Sequence, residues 1–335
     1  MFQHKEKNDE IRFTKKELLL MAKSRECRQR SRSLYTAKTT IVEDIPSRDN
    51  IHLEGSVSLP NTSWRNRTIP RTIWIEEPCT ENRQDEPLGS GVTTHGIISL
   101  RLHDNIRVDM TLDRAIRIMN YKSNIAVAVS ASGSTAALLH PNGRVYQYGS
   151  RVEILAYDKH TNGNNKYAKM WYKGVSFTSD QCALVYLVDS AGTRTTTDSF
   201  SDLSQDFSLQ VFYNESIHGP SHVQEAMSLL QQSNYWISDE GTDNWIINNI
   251  RVSQTVDGLV RIGRNNGKYS LRTSPSNGSA GISTPFLHCT GSLGQTRHLF
   301  VRRGERRMHY DGTSFIVRNA GHSAGFDDKH QLKVY

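Results

Sequence analysis

Gly321-His322-Ser323-Ala324-Gly325 is the sharpest literal match to a catalytic motif in this sequence. A G-x-S-x-G elbow sets a serine nucleophile on a tight turn between a strand and a helix, and the acid and histidine of the triad arrive later in the chain. The strand is predicted here over Ser314–Arg318. After the motif, however, only Phe326 to Tyr335 follow. Those residues are too few for a packing helix, another strand and a loop bearing a separate histidine. Asp328 and His330 are also too close in sequence to act as independent arms. The motif is therefore read as a Gly-rich turn, and an enzyme is not expected.

Other chemistry-bearing groups give less. His288, His298, His309, His322 and His330 recur with Cys289 beside the first, yet neither HExxH nor a Cys/His zinc spacing is present. No metal and no cofactor are expected. Gly89-Ser90-Gly91 and Gly291-Ser292-Leu293-Gly294 lack the lysine and helix context of a phosphate loop. Glu76-Glu77 and Asp327-Asp328 are adjacent pairs, which a strand sends to opposite faces.

Basic residues are the stronger signal. Arg302-Arg303-Gly304-Glu305-Arg306-Arg307 reads as a basic turn that could contact phosphate or an acidic surface, or simply keep a hairpin tip solvated. Residues 1–38 hold eleven Lys and Arg against five acids, a surplus of +6 out of the chain's +7, so the rest carries only about +1. A protein that binds nucleic acid over its whole surface would look different. Within the arm, Arg25, Arg28, Arg30 and Arg32 are candidate contacts to phosphate or an acidic partner. A protein partner is expected, with nucleic acid a second candidate for the arm.

The same arm carries Phe13-Thr14-Lys15-Lys16-Glu17-Leu18-Leu19. Phe13, Leu18 and Leu19 with their basic neighbours resemble the docking peptide of proteins that bind the cap-binding initiation factor, in which a tyrosine takes the position of Phe13. That resemblance implies a translational regulator docking through residues 12–22. The same residues also fit an ordinary helix start: Thr14 and Glu17 make a capping box, and Phe13 and Leu18 a hydrophobic staple. Pro141-Asn142-Gly143-Arg144-Val145-Tyr146-Gln147-Tyr148-Gly149 is similar to MORN-type hairpin repeats. This similarity implies a non-catalytic β-scaffold of cytoskeletal or ciliary assemblies.

What must position these groups is a chain of 335 residues with 5 Trp, 13 Tyr and 10 Phe, enough core material for one large domain or two smaller ones. No apolar run approaches the ~18–20 residues of a membrane-spanning helix. The charged first residues lack the apolar core of a signal peptide. Cys27, Cys79, Cys182 and Cys289 are widely spaced and read as reduced thiols. A cytoplasmic protein is expected, with nuclear or ciliary settings next and secretion excluded.

From Gly96 onward, apolar and polar residues alternate, as in Ile106-Val108-Met110-Leu112 and Ile125-Val127-Val129, between turn signals such as Asn265-Asn266-Gly267 and Asp311-Gly312. The expected fold is mainly β: large antiparallel hairpin-rich sheets, one or two short helices and an extended basic N-terminal arm. The divisions are a basic helical arm at 1–33, an extended Pro-punctuated segment at 34–95, a β block at 96–215, a helical connector at 216–239 and a second β block at 240–335. Within the connector a helix is predicted near 221–233, capped by Ser221, with Val223, Met227 and Leu230 on one face. Trp171, Tyr172, Trp236 and Trp245 are expected in the core or, in part, on a partner surface. The function this supports is a non-enzymatic interaction scaffold.

Overall fold

The computed structural model describes residues 88–158 and 163–335. Phe13, Leu18, Leu19, Arg25, Arg28, Arg30 and Arg32 lie outside the described residues. The described chain is mainly β, with two antiparallel sheets of twelve strands each. The first runs from β1 (Gly89–Val92) to β12 (Gly192–Thr196), and the second from β13 (Asn234–Ile237) to β24 (Leu332–Val334). Each strand pairs with its neighbours in sequence, so each sheet is an uninterrupted meander. The first strand falls inside the stretch expected to be extended and draped.

Alternation dictates the faces. In β3 (Ile106–Met110) and β5 (Ile125–Val129), Ile106, Val108, Met110, Ile125, Val127 and Val129 are buried in a core to which both sheets contribute. Residues of opposite parity point away from it, as the two-residue period of a strand requires. β4 (Ile116–Asn120) and β5 pack over β17 (Tyr269–Ser274), and β10 (Gly174–Ser179) and β11 (Val185–Asp189) over β22 (Phe315–Asn319). The two meanders are thus stacked face to face in the same order, as a β-sandwich.

Polar side chains fasten the sheets at the strand ends. Gln254 accepts from the His103 amide and donates to its carbonyl, both at 3.0 Å. Asn142 donates to the carbonyls of Ser292 and His298 at 2.7 and 2.9 Å and accepts from Arg297 Nε at 2.8 Å. The turn before β7 (Gly143–Tyr148) is formed by Pro141 and Asn142, and Gly143 is already paired with His140. Asn142 therefore serves as a buried cross-link between sheets as well as a turn residue.

The aromatic core matches the expected one only in part. Phe177, Phe315 and Phe326 are buried, with the Phe177 and Phe326 rings in edge contact at 5.5 Å. Tyr172 is 74% exposed, and Trp171, Trp236 and Trp245 are only half-buried. Trp171 and Trp236 fall at outward-facing positions, whereas Trp245 stands opposite Val252 and packs against the core as expected; the inward positions near β10 and β22 go to phenylalanine. Cys182 and Cys289 are free, and burial pushes the Cys289 thiol up to about 12.

Between the sheets the chain forms a strap and two helices. α1 (Phe207–Tyr213) packs on the outer face of β4, β5 and β6 (Thr135–His140), where Ala126, Ala128 and Ala137 leave room for it. Asp206 caps α1 by accepting from the Ser208 amide. α2 (Val223–Gln231) packs against β1 and β2 (Ile98–Leu102), burying Ala226 and Leu230. The predicted cap is displaced. Ser221 lies inside a 3-10 turn, Pro220–His222, so His222 occupies the cap position and makes no side-chain cap bond. No helix of the described residues is long and apolar enough to cross a membrane.

Candidate functional site

The strap decides which sheet face is free. From β12 it runs back across the outer face of the first sheet, and one strand after another holds it. Lys169, on β9 (Lys166–Trp171), pairs with Asp198 and donates to the Ser199 carbonyl at 2.7 Å. Glu153, on β8 (Arg151–Ala156), accepts from the Ser201 amide at 2.7 Å. Arg144 on β7 donates to the carbonyls of Leu203 and Gln205. Arg117 on β4 reaches Asp206 and Ser208, each at 3.0 Å. The charges on this face are thereby matched with partners.

The outer face of the second sheet has the opposite character. No strand from β15 (Ile250–Gln254) to β24 contains an aspartate or glutamate. Arg251, Arg261, Arg272, Arg302, Arg307, Arg318 and Lys333 are all exposed along it. Three of them form a continuous row. Arg302 on β20 (His298–Arg303) stands opposite Arg307 on β21 (Arg306–Tyr310), and Arg307 stands opposite Arg318 on β22. The row continues to His288 on β19 (His288–Ser292) at one end and to Ser323 on β23 (His322–Phe326) at the other. Adjacent strands lie about 4.8 Å apart, so neighbouring guanidinium stems emerge within reach of one another.

The basic run is thus resolved into two functions. The turn itself is only Gly304-Glu305, and the four arginines belong to the flanking strands. Arg302 and Arg307 face outward. Arg303 and Arg306 share parity with the core residues Val301 and Met308. Arg303 donates to the Gly149 carbonyl at 3.1 Å and Arg306 to the Tyr172 carbonyl at 3.4 Å, which ties the second sheet to the first. Two of the four candidates are therefore structural fasteners. Arg318 had not been singled out by the sequence reading, because it is remote from the basic run in sequence. Parity could have found it: Phe315 and Val317 are core, so Arg318 must face out.

A groove of about 770 Å³ opens above the row, lined by Arg302, Glu305, Arg307, Arg318, His322 and Ser323 among others. Among the described residues no carboxylate lies within ion-pair distance of the three guanidinium groups. The local field is legible in the neighbouring groups. Partial burial, then Arg272 and Arg302, hold the His288 imidazolium below its ordinary range. Burial lowers His309 too; Asp311 opposes that shift, while His298 and Arg318 add to it. Arg303 is lowered by burial and by Arg306.

Ser323 sits within strand β23, after a turn made by Ala320 and Gly321, both at positive φ. A strand follows where a nucleophile elbow needs a helix. Among the described residues, no group of three or more His, Cys, Asp or Glu side chains is placed to hold a metal ion.

Some solved structures are weakly similar to this chain. The TCP10 domain of Danio rerio CPAP is 9% identical, with 71% of this chain and 94% of that chain covered at a TM-score of 0.18. The TCP domain of Drosophila melanogaster SAS-4 (dCPAP), solved with a proline-rich motif of Ana2, is 12% identical, with coverages of 70% and 92% and a TM-score of 0.16. No curated protein matches the sequence. A family model described as "Domain of unknown function (DUF8796)" matches residues 90–332, nearly the whole described sandwich, and the chain belongs to that family.

Proposed function

We propose that this chain is a non-enzymatic interaction scaffold whose second sheet presents a cationic face to an acidic segment of a protein partner. One observation carries the reading: Arg302, Arg307 and Arg318 stand side by side, unmatched by any described carboxylate, on a face that the strap and helices leave uncovered. Like charges directly opposite one another on adjacent strands are destabilising. Stability alone therefore gives no reason to place them together. An anionic partner converts that cost into affinity and into a fixed register. The contrast with the first sheet, where Lys169, Glu153, Arg144 and Arg117 all have partners in the strap, supports the reading. So does the charge of residues 88–335, where 25 Lys and Arg stand against 20 Asp and Glu.

The test is a titration of the full chain with polyglutamate at low and high ionic strength. Binding should weaken steeply with salt, as screened charge contacts do. It should be lost in the Arg302→Gln/Arg307→Gln/Arg318→Gln variant, whose circular dichroism should match the parent. No binding at low salt, or equal binding by the variant, overturns the reading.

A further inference from the structure

We propose that the groove over Arg307 is a receptor site for a phosphorylated serine or threonine in the partner, an inference that rests on the acidic-partner reading above. The argument is one of valence and geometry. A carboxylate has two oxygens and is satisfied by a single guanidinium fork. A phosphate monoester offers three strong acceptor oxygens and carries about −1.5 to −2 at neutral pH. The row is centred on Arg307, with Arg302 and Arg318 each one strand away on opposite sides; Arg302 Nε donates to the Gly304 carbonyl at 3.2 Å, which leaves its terminal nitrogens for a ligand. All three line the same groove. One glutamate there would leave most of the positive charge uncompensated, whereas a phosphoryl dianion balances about two guanidinium groups.

The surroundings fit the same ligand. Ser323 continues the row beyond Arg318 and lines the groove, adding a hydroxyl donor. Glu305, in the turn between β20 and β21, also lines the groove, and its single negative charge leaves the three arginines in clear excess. A groove of about 770 Å³ has room for one phosphorylated side chain and the backbone on either side of it. Clusters of arginine are a recurring way to read such a group in proteins.

The experiment uses the full chain and three degenerate peptide libraries that differ only at the central position: phosphoserine, glutamate or serine. Binding is read by fluorescence anisotropy, with inorganic phosphate as competitor. The phosphoserine library should bind at least about tenfold more tightly than the glutamate library, and inorganic phosphate should displace it, as expected for a site built from charge-assisted forks. Arg307→Gln should lose that preference. Arg307→Lys, which keeps the charge but not the planar fork, should lose most of it. Equal affinity for phosphoserine and glutamate overturns the phosphate site and leaves the acidic-partner reading standing. Binding of neither library overturns both. Tighter binding to phosphoinositide vesicles or to a single-stranded oligonucleotide than to the phosphoserine library also overturns the site as assigned.

Discussion

Lys166 and Asp158 form an ion pair of 2.7 Å in which both side chains are almost wholly removed from solvent. Lys166 also donates to the Asn164 carbonyl at 2.7 Å and lies 3.3 Å from Nδ1 of His330, which comes from the second sheet's last loop. The pair therefore sits where the two sheets meet. Taking two charges out of water is costly, and their attraction offsets that cost only while both are present. Asp158→Asn should destabilise the chain by about 3–5 kcal/mol, the range for removing one partner of a buried pair. Replacing both, as Asp158→Leu with Lys166→Met, should cost less than the two single changes added together. Chemical denaturation of the parent, Asp158→Asn, Asp158→Leu, Lys166→Met and the double variant checks this, and a double variant that costs the full sum would refute the coupling.

The strap yields a second prediction. Lys169 and Asp198 pair on the outer face of the first sheet, where Lys169 also holds the Ser199 carbonyl. Lys169→Met removes both anchors at the strap's beginning, while Arg117 and the cap at Asp206 still hold its far end. Backbone amides of residues 198–203 should then exchange faster with solvent, while those of the second sheet remain protected. Local opening of this kind is expected where few apolar contacts secure a segment. Hydrogen exchange read by mass spectrometry distinguishes a released strap from a loosened sandwich.

Most of the architecture was readable from the sequence because a meander has only short-range grammar. Ile106, Val108 and Met110 announce a strand face, and a turn such as Asn265-Asn266-Gly267, with all three residues at positive φ, announces its reversal. The stacking of one meander on the other leaves no such local mark. It depends on residues such as Gln254, whose partner lies 151 positions away. For the site, the basic run 302–307 was conspicuous, but its division was not. Which arginine faces out follows only once the turn is known to be Gly304-Glu305, because a shift of one residue exchanges the faces. The strap was missed altogether: nothing in Asp198–Gln205 is periodic, and its placement is set by side chains on β7, β8 and β9.

The pH dependence has a definite sign. His288 and His309 are held below the ordinary histidine range, first by burial, and also by Arg272 and Arg302 in one case and by His298 and Arg318 in the other. When folded histidines titrate below their unfolded value, the unfolded chain binds more protons in the window between the two. Stability should therefore fall as pH drops through the unfolded value of about 6.5 toward the lower folded value. His288→Gln should reduce that slope, and so should Arg302→Gln, which removes one source of the repulsion while leaving the imidazole in place. Thermal melts between pH 5 and 7.5 give the comparison. An unchanged slope in both variants would remove His288 from the account.

The row itself should behave oppositely for folding and for binding. Arg307 has an arginine directly across from it on each side. Like-charge neighbours on a sheet oppose folding by roughly 0.2–1 kcal/mol per pair. Arg307→Gln interrupts both pairs and leaves the core-facing Met308 and the fasteners Arg303 and Arg306 untouched. The unliganded variant should accordingly be as stable as the parent or more stable, by up to about 2 kcal/mol at low salt. The difference should vanish near 1 M salt, where the screening length shrinks to about 3 Å. Denaturant titrations at the two ionic strengths measure it. A variant that is clearly less stable at low salt would show that Arg307 makes stabilising contacts in the free protein, and the cost that motivates an anionic partner would be absent.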